Sequence, residues 1–265
     1  MRRSPIILIG LVWVLPGYAA DPTPPVLESV EVTERIGELV PEDALFQDSS
    51  SQPVQLKQLL HRGQPLLLSL NYYRCPMLCS LVLRGMVNGL RGTGLKLGRD
   101  YFAFTLSIDP RETSELAAEN KRGYLQALGE PSAEAAWAFT TGKDPQIRAL
   151  ADAIGFGYAY DESTEQYAHP AVIAVLTPDG KISRYLYGIE FPPRDLKLAL
   201  VEASGGKVGT SFDRFLLSCF KYDPALRRYG VYVAGILKGG ALLVFVVLAA
   251  LLATLWRREL KRGTV

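Results

Sequence analysis

The sequence is poor in the residues that carry most metal and thiol chemistry. Its 265 residues hold three cysteines and two histidines. The cysteine and histidine candidates for a soft-metal or thiol site are therefore few: Cys75, Cys79, Cys219, His61 and His169. There is no C-x-x-C pair, the spacing a thiol oxidoreductase more often shows. Charge imbalance is also lacking: 29 basic residues against 27 acidic ones leave a formal net charge of +2. Such a balance gives no electrostatic mandate for nucleic acid, and no nucleic-acid partner is expected. No internal repeat is visible, which excludes a solenoid or propeller.

What the chain has in excess is apolar residues, 48% of the total with a mean hydropathy of +0.11. The excess sits at the two ends. Met1-Arg2-Arg3, an apolar run over 6–15 and Pro16-Gly17-Tyr18-Ala19-Ala20 describe a secretory signal peptide over residues 1–20. An uncleaved anchor is the alternative, but the run is shorter than the roughly 20 residues a span needs. Residues 239–256 carry no charge. As a helix they extend about 27 Å, close to the hydrocarbon thickness of a bilayer. Lys238 flanks one end and Trp256, Arg257 and Arg258 the other, as interfacial anchors do. One C-terminal transmembrane helix is expected, with 257–265 as a basic cytoplasmic tail and the body outside the cytoplasm.

Between the ends, residues 21–43 open on Asp21-Pro22-Thr23-Pro24-Pro25 and read as a linker. Residues 44–205 read as one α/β domain, and 206–238 as a juxtamembrane segment. Strands are expected over 66–72, 101–108 and 137–140, with helices over 79–90, 114–128 and 144–154. Asp144 is the expected N-cap of the last of these, with Pro145 at its first position. Residues 171–176 and 182–187 flank Thr177-Pro178-Asp179-Gly180-Lys181, a strong hairpin signal, and a helix over 195–203 closes the domain. This order predicts a mixed sheet with helices on its faces.

Cys75 and Cys79 lie in Tyr73-Arg74-Cys75-Pro76-Met77-Leu78-Cys79-Ser80, where a strand feeds a helix. Four-residue spacing in a helix puts two side chains one turn apart on the same face. A helix N-terminus there favours thiolate over thiol. The pair reads as two metal-binding or nucleophilic sulfurs, as a structural disulfide, or as two buried cysteines. His169 precedes Pro170 and a strand, in a loop able to approach the cysteine helix. Taken alone it is a ligand or a surface residue. His61, in a polar loop, reads as a surface residue. Two thiolates and an imidazole form a soft set suited to copper.

The segments Cys75-Pro76-Met77-Leu78-Cys79, Ser107-Ile108-Asp109-Pro110, Tyr167-Ala168-His169 and the 177–181 hairpin occur in this order, followed by Ser183-Arg184-Tyr185-Leu186-Tyr187-Gly188. In these the chain resembles the Sco/SenC family of copper proteins, which assist assembly of cytochrome c oxidase. The resemblance covers most of residues 60–204. It implies a thioredoxin-like fold and copper, Cu(I) or Cu(II), bound by Cys75, Cys79 and His169. Cys75 and Cys79 would also form a redox-active dithiol. Asp109 is expected near the site or at a partner's docking face, or else as a turn-forming residue before Pro110. The implied partners are a copper-receiving membrane oxidase subunit or another periplasmic copper chaperone, with the body on the periplasmic side of a bacterial inner membrane. A thiol–disulfide oxidoreductase acting on the client's cysteines is the second reading, and a copper-independent assembly module the third. The better-known members are anchored by an N-terminal helix, unlike the C-terminal span expected here. Met77 stands between the cysteines, as a packing residue or a thioether ligand, and Cys219 lies outside the expected site.

Overall fold

The structure, a computed structural model, describes residues 30–75, 78–205, 220–223, 228–231, 244–245, 247–248 and 250–252. Its strands in the main domain are β1 (Leu45–Asp48), β2 (Pro53–Gln55), β3 (Leu66–Asn71), β4 (Phe102–Ser107), β5 (Trp137–Thr141), β6 (Ala159–Asp161), β7 (Gln166–Ala168), β8 (Val172–Leu176) and β9 (Ile182–Tyr187). The helices are α1 (Leu78–Arg91), α2 (Ser114–Leu128), α3 (Asp144–Ala153) and α4 (Pro193–Ala203).

Seven strands form one mixed sheet in the order β2-β1-β5-β4-β3-β8-β9. The neighbours β3, β4 and β5 run parallel, and the other pairs are antiparallel. Leu-Leu-Leu-Ser-Leu-Asn in β3 and Phe-Ala-Phe-Thr-Leu-Ser in β4 are buried at every position. Strands covered on both faces read as continuous apolar runs, which is why the sequence marked them clearly. Ser69 and Thr105 are paired inside the core: Ser69 Oγ lies 2.9 Å from Thr105 Oγ1, which accepts from Trp137 Nε1 at 2.9 Å.

The α2 boundaries match expectation because its ends are chemically marked. Thr113 accepts from the Leu116 N–H as N-cap, and Gly129 closes the helix at φ +83. One expectation is corrected at α3. Lys143, not Asp144, is the N-cap, and Asp144 joins the first turn, where a carboxylate complements the helix dipole and pairs with Arg148 at 3.5 Å. α4 begins at Pro193, two residues before the expected start, since proline is tolerated in the first turn.

Residues 30–40, read from sequence as linker, lie along the domain edge. The Thr33 N–H donates to Gly155 O at 2.9 Å, Gly157 N–H to Glu31 O at 2.9 Å and Gly37 N–H to Ile182 O at 2.8 Å. Farther along the chain, β10 (Phe220–Asp223) and β11 (Arg228–Val231) pair antiparallel. Among the described residues no helix is long and apolar enough to cross a membrane. The helical residues 244–245, 247–248 and 250–252 include exposed Val244, Phe245, Leu248 and Leu252. The rest of the expected span, the expected signal peptide, Met77 and Cys219 lie outside the described residues.

Candidate metal centre

The parallel strands β3 and β4 end on the same side of the sheet, and antiparallel β8 begins there. Three segments therefore converge at one sheet end: 72–75 after β3, 108–113 after β4 and 168–171 before β8. Crevices at the carboxyl ends of parallel strands are common places for ligands in open α/β sheets.

Cys75 is half-buried and stands ahead of α1, which starts at Leu78. The expected helical face carrying both cysteines is corrected accordingly. Cys79 is in the first turn and Cys75 is in the preceding loop. The residue before a proline is disfavoured in the helical region, so Pro76 keeps Cys75 out of the helix. The side chain of Cys79 and residues 76–77 lie outside the described residues.

What fixes the Cys75 loop is a residue the sequence reading missed. Glu112 Oε2 accepts from the Tyr73 N–H at 2.7 Å and its Oε1 from the Arg74 N–H at 2.7 Å. Ser107 Oγ donates to Oε2 at 2.6 Å. Burial pushes the Glu112 carboxyl above the usual range, and these three donors offset only part of that rise. Tyr73 is held at its other end as well, its hydroxyl donating to Thr140 O at 2.8 Å. A carboxylate three residues past Asp109, immediately before the Thr113 cap, was the available signal, but no spacing rule links it to Tyr73.

His169 is 7% exposed, in the loop before β8. Its ring stacks on Phe156 at 5.9 Å and meets the Tyr72 ring edge-on at 6.1 Å. Tyr72–Tyr167, Tyr167–Tyr158 and Tyr158–Phe156 contacts at 5.8, 6.0 and 6.3 Å close an aromatic circuit around it. Burial holds the imidazole pKa down, which keeps it in the neutral, ligating form. Nδ1 lies 3.1 Å from Pro170 O. Donation of Nδ1–H to that carbonyl selects the tautomer with its lone pair on Nε2, the usual arrangement of a ligating histidine. The His169–Pro170 peptide is trans.

Tyr72 joins the two sides. Its ring touches His169, and its carbonyl accepts from the Cys75 N–H at 3.4 Å. Asp109 is on the same side, but its carboxylate is engaged by Arg111 through Nε and Nη2, each at 2.8 Å. The Arg111 guanidinium in turn lies 4.9 Å over the Tyr160 ring. Asp109, Arg111, Arg74, Glu112 and Tyr167 line a groove of about 500 Å³ beside the Cys75 loop. His61 is at the opposite end of β8, exposed, with Nε2 2.6 Å from Glu42 Oε2. That placement matches the surface reading.

The donor chemistry fits a soft cation: a neutral, oriented imidazole on one side and a cysteine loop on the other. Among the described residues no group of three His, Cys, Asp or Glu side chains gathers as a metal site, a set that does not include the side chain of Cys79.

Comparison with known proteins agrees with this architecture. A candidate electron transfer protein from Aquifex aeolicus VF5 is 27% identical, with a TM-score of 0.57 over 67% of this chain and 98% of that one. A second candidate electron transport protein from the same organism is 28% identical, with a TM-score of 0.53 over 64% and 99%. BsSco, described as having a disulfide switch and as a member of the Sco family of cytochrome c oxidase assembly proteins, is 20% identical. Its TM-score is 0.51 over 66% and 98%, which bears on the fold alone. No curated protein sequence matches the chain. The SCO1/SenC family model matches residues 42–202, which takes in the seven-stranded sheet, the helices but for the last residue of α4, and every segment that converges on Cys75 and His169. With that match over more than half its length, the chain belongs to the SCO1/SenC family.

Proposed function

We propose that the chain is a copper metallochaperone that carries copper on Cys75, Cys79 and His169 and passes it to a membrane oxidase subunit such as that of cytochrome c oxidase. The observation that supports this best is Tyr72, which brings a buried, neutral His169 against the loop of Cys75 in a SCO1/SenC domain. Copper is the cargo. Two sulfurs and one imidazole hold Cu(I) with room for an incoming ligand. Transfer then proceeds by exchange: an acceptor thiol loses its proton as its sulfur bonds to copper, and a departing cysteine sulfur takes up a proton. Oxidation of Cys75 and Cys79 to a disulfide removes two of the three ligands, so redox state gates loading.

The uncharged run 239–256 and the leader over 1–20 support a single-pass protein of the bacterial inner membrane with this domain in the periplasm. A thiol–disulfide oxidoreductase is the second reading, favoured by the electron transfer description of the Aquifex aeolicus protein.

The discriminating experiment is copper titration of the full chain in detergent, reduced and oxidised, beside His169→Ala. Stoichiometric binding by the reduced protein alone, with Cu(II) binding lost in His169→Ala and dithiol exchange retained, is the expected result. No copper uptake by the reduced protein would leave the oxidoreductase.

A further inference from the structure

We propose that Glu112 is the positioning residue for Cys75: its buried carboxylate clamps the turn that carries the cysteine and sets where the sulfur stands. The local backbone does this poorly by itself. Cys75 is outside α1, and its N–H donates to Tyr72 O over a long 3.4 Å. Successive backbone N–H groups in a turn form a concavity for an anion. In this turn the anion is internal, with each Glu112 oxygen taking one of two consecutive N–H groups at 2.7 Å.

The clamp is itself anchored. Glu112 is 6% exposed, its N–H donates to Asp109 O at 3.1 Å, and Ser107 Oγ adds the third bond. It stands one residue before the Thr113 cap of α2, so the position of a helix is transmitted to the Cys75 turn. The neighbouring carboxylate cannot substitute, because Asp109 is engaged by Arg111 and by the Arg111 N–H at 2.9 Å. Glutamine at 112 keeps the shape but offers one acceptor oxygen, and its NH₂ faces an N–H donor.

The proposal rests on reading Cys75 and Cys79 as a cooperating pair, and two readouts on the full chain in detergent separate it from the copper reading. The first uses no metal. In a glutathione buffer two thiols pass two electrons and two protons to glutathione disulfide, giving the Cys75–Cys79 disulfide and two glutathiones. Glu112→Gln loosens one of the two sulfurs, so oxidation becomes less favourable by about tenfold, a shift of about 30 mV. The second readout is copper affinity by chelator competition, with the Cu(II)–thiolate absorption band. A loss of about 10–100-fold and a weakened band are expected, in the range typical of removing a group that orients a ligand.

Ile147→Ala, which removes buried apolar contacts of α3 and none of the Glu112 hydrogen bonds, serves as the control for general destabilisation. An unchanged midpoint and affinity in Glu112→Gln would overturn the proposal, and so would equal changes in Ile147→Ala. If the wild type takes no copper but Glu112→Gln still moves the glutathione midpoint, the copper reading fails and the positioning role stands.

Discussion

Cys75 stands half-buried in a turn fixed by short hydrogen bonds to a buried carboxylate, whereas His169 is buried among aromatic rings, with its Nδ1 3.1 Å from Pro170 O. Hydrogen bonds are directional, so the first arrangement fixes a backbone within tenths of an ångström. Ring packing excludes water and selects a protonation state, but it tolerates small rotations of the imidazole. The difference suggests a division of labour under the proposed function. The thiol side is built for geometry near the surface, where a cargo ion is handed over. The imidazole side is built to stay neutral and in place.

The largest expected effect tests that division directly. Cys75→Ser removes a soft ligand, and Cu(I) affinity in the full chain should fall by more than about 100-fold, beyond what loss of an outer partner typically does. His169→Ala should instead leave Cu(I) affinity within about tenfold while Cu(II) affinity collapses, since imidazole suits Cu(II) better than thiolate alone. Competition titrations with chelators for each ion give the four numbers. Equal losses of both ions in both variants would end the distinction between the two sides.

The next effect asks whether each side depends on its own scaffold. On the cysteine side, α1 rests against the chain after β9 through Gly85, where an added Cβ would stand 2.0 Å from Ile189 O. On the histidine side, Gly155 has φ +60 and an added Cβ would stand 1.9 Å from Thr33 O, next to the Phe156 that backs His169. Alanine at either site overpacks against backbone, and a loss of about 1–3 kcal/mol or more is expected. For a domain of this size that lowers Tm by about 2–4 °C per kcal/mol. Hydrogen exchange should then rise at 78–92 in Gly85→Ala and at 30–40 and 155–158 in Gly155→Ala. Identical exchange maps would mean that the two sides share one scaffold.

The two sides also differ in how far the sequence discloses them. The strands β3, β4, β8 and β9 and helix α2 were legible because burial on both faces, a hairpin turn or marked caps leave a local signature. The hairpins β1–β2 and β6–β7 were not, since strands of three or four residues with mixed exposure carry no periodicity. At the site, residue type singled out Cys75, Cys79 and His169, and family resemblance gave them a role. Glu112 was invisible because its partners in the cysteine turn are backbone N–H groups 38 and 39 residues away, and backbone donors have no residue identity. The helical face imagined for both cysteines failed at Pro76, whose restriction on the preceding residue outweighs the i, i+4 pattern.

The smallest effect concerns protonation of the histidine side in the copper-free protein. Burial depresses the His169 pKa in the folded state, with the Pro170 carbonyl opposing it in part. In the unfolded chain the ring protonates near about 6.5. Above that value both states hold the ring neutral and its linkage to stability is constant. As pH falls through 6.5 the unfolded state gains a proton that the folded state does not, so stability declines. The decline ends once pH passes below the depressed folded value, where both states are protonated. His169→Gln removes this contribution, whereas acidic groups elsewhere keep theirs. The difference between wild-type and His169→Gln unfolding free energies should therefore shrink from pH 7.5 towards acid, measured by denaturant titration of the full chain in detergent. A difference that stays flat, or grows in acid, would mean that the aromatic circuit does not hold His169 neutral.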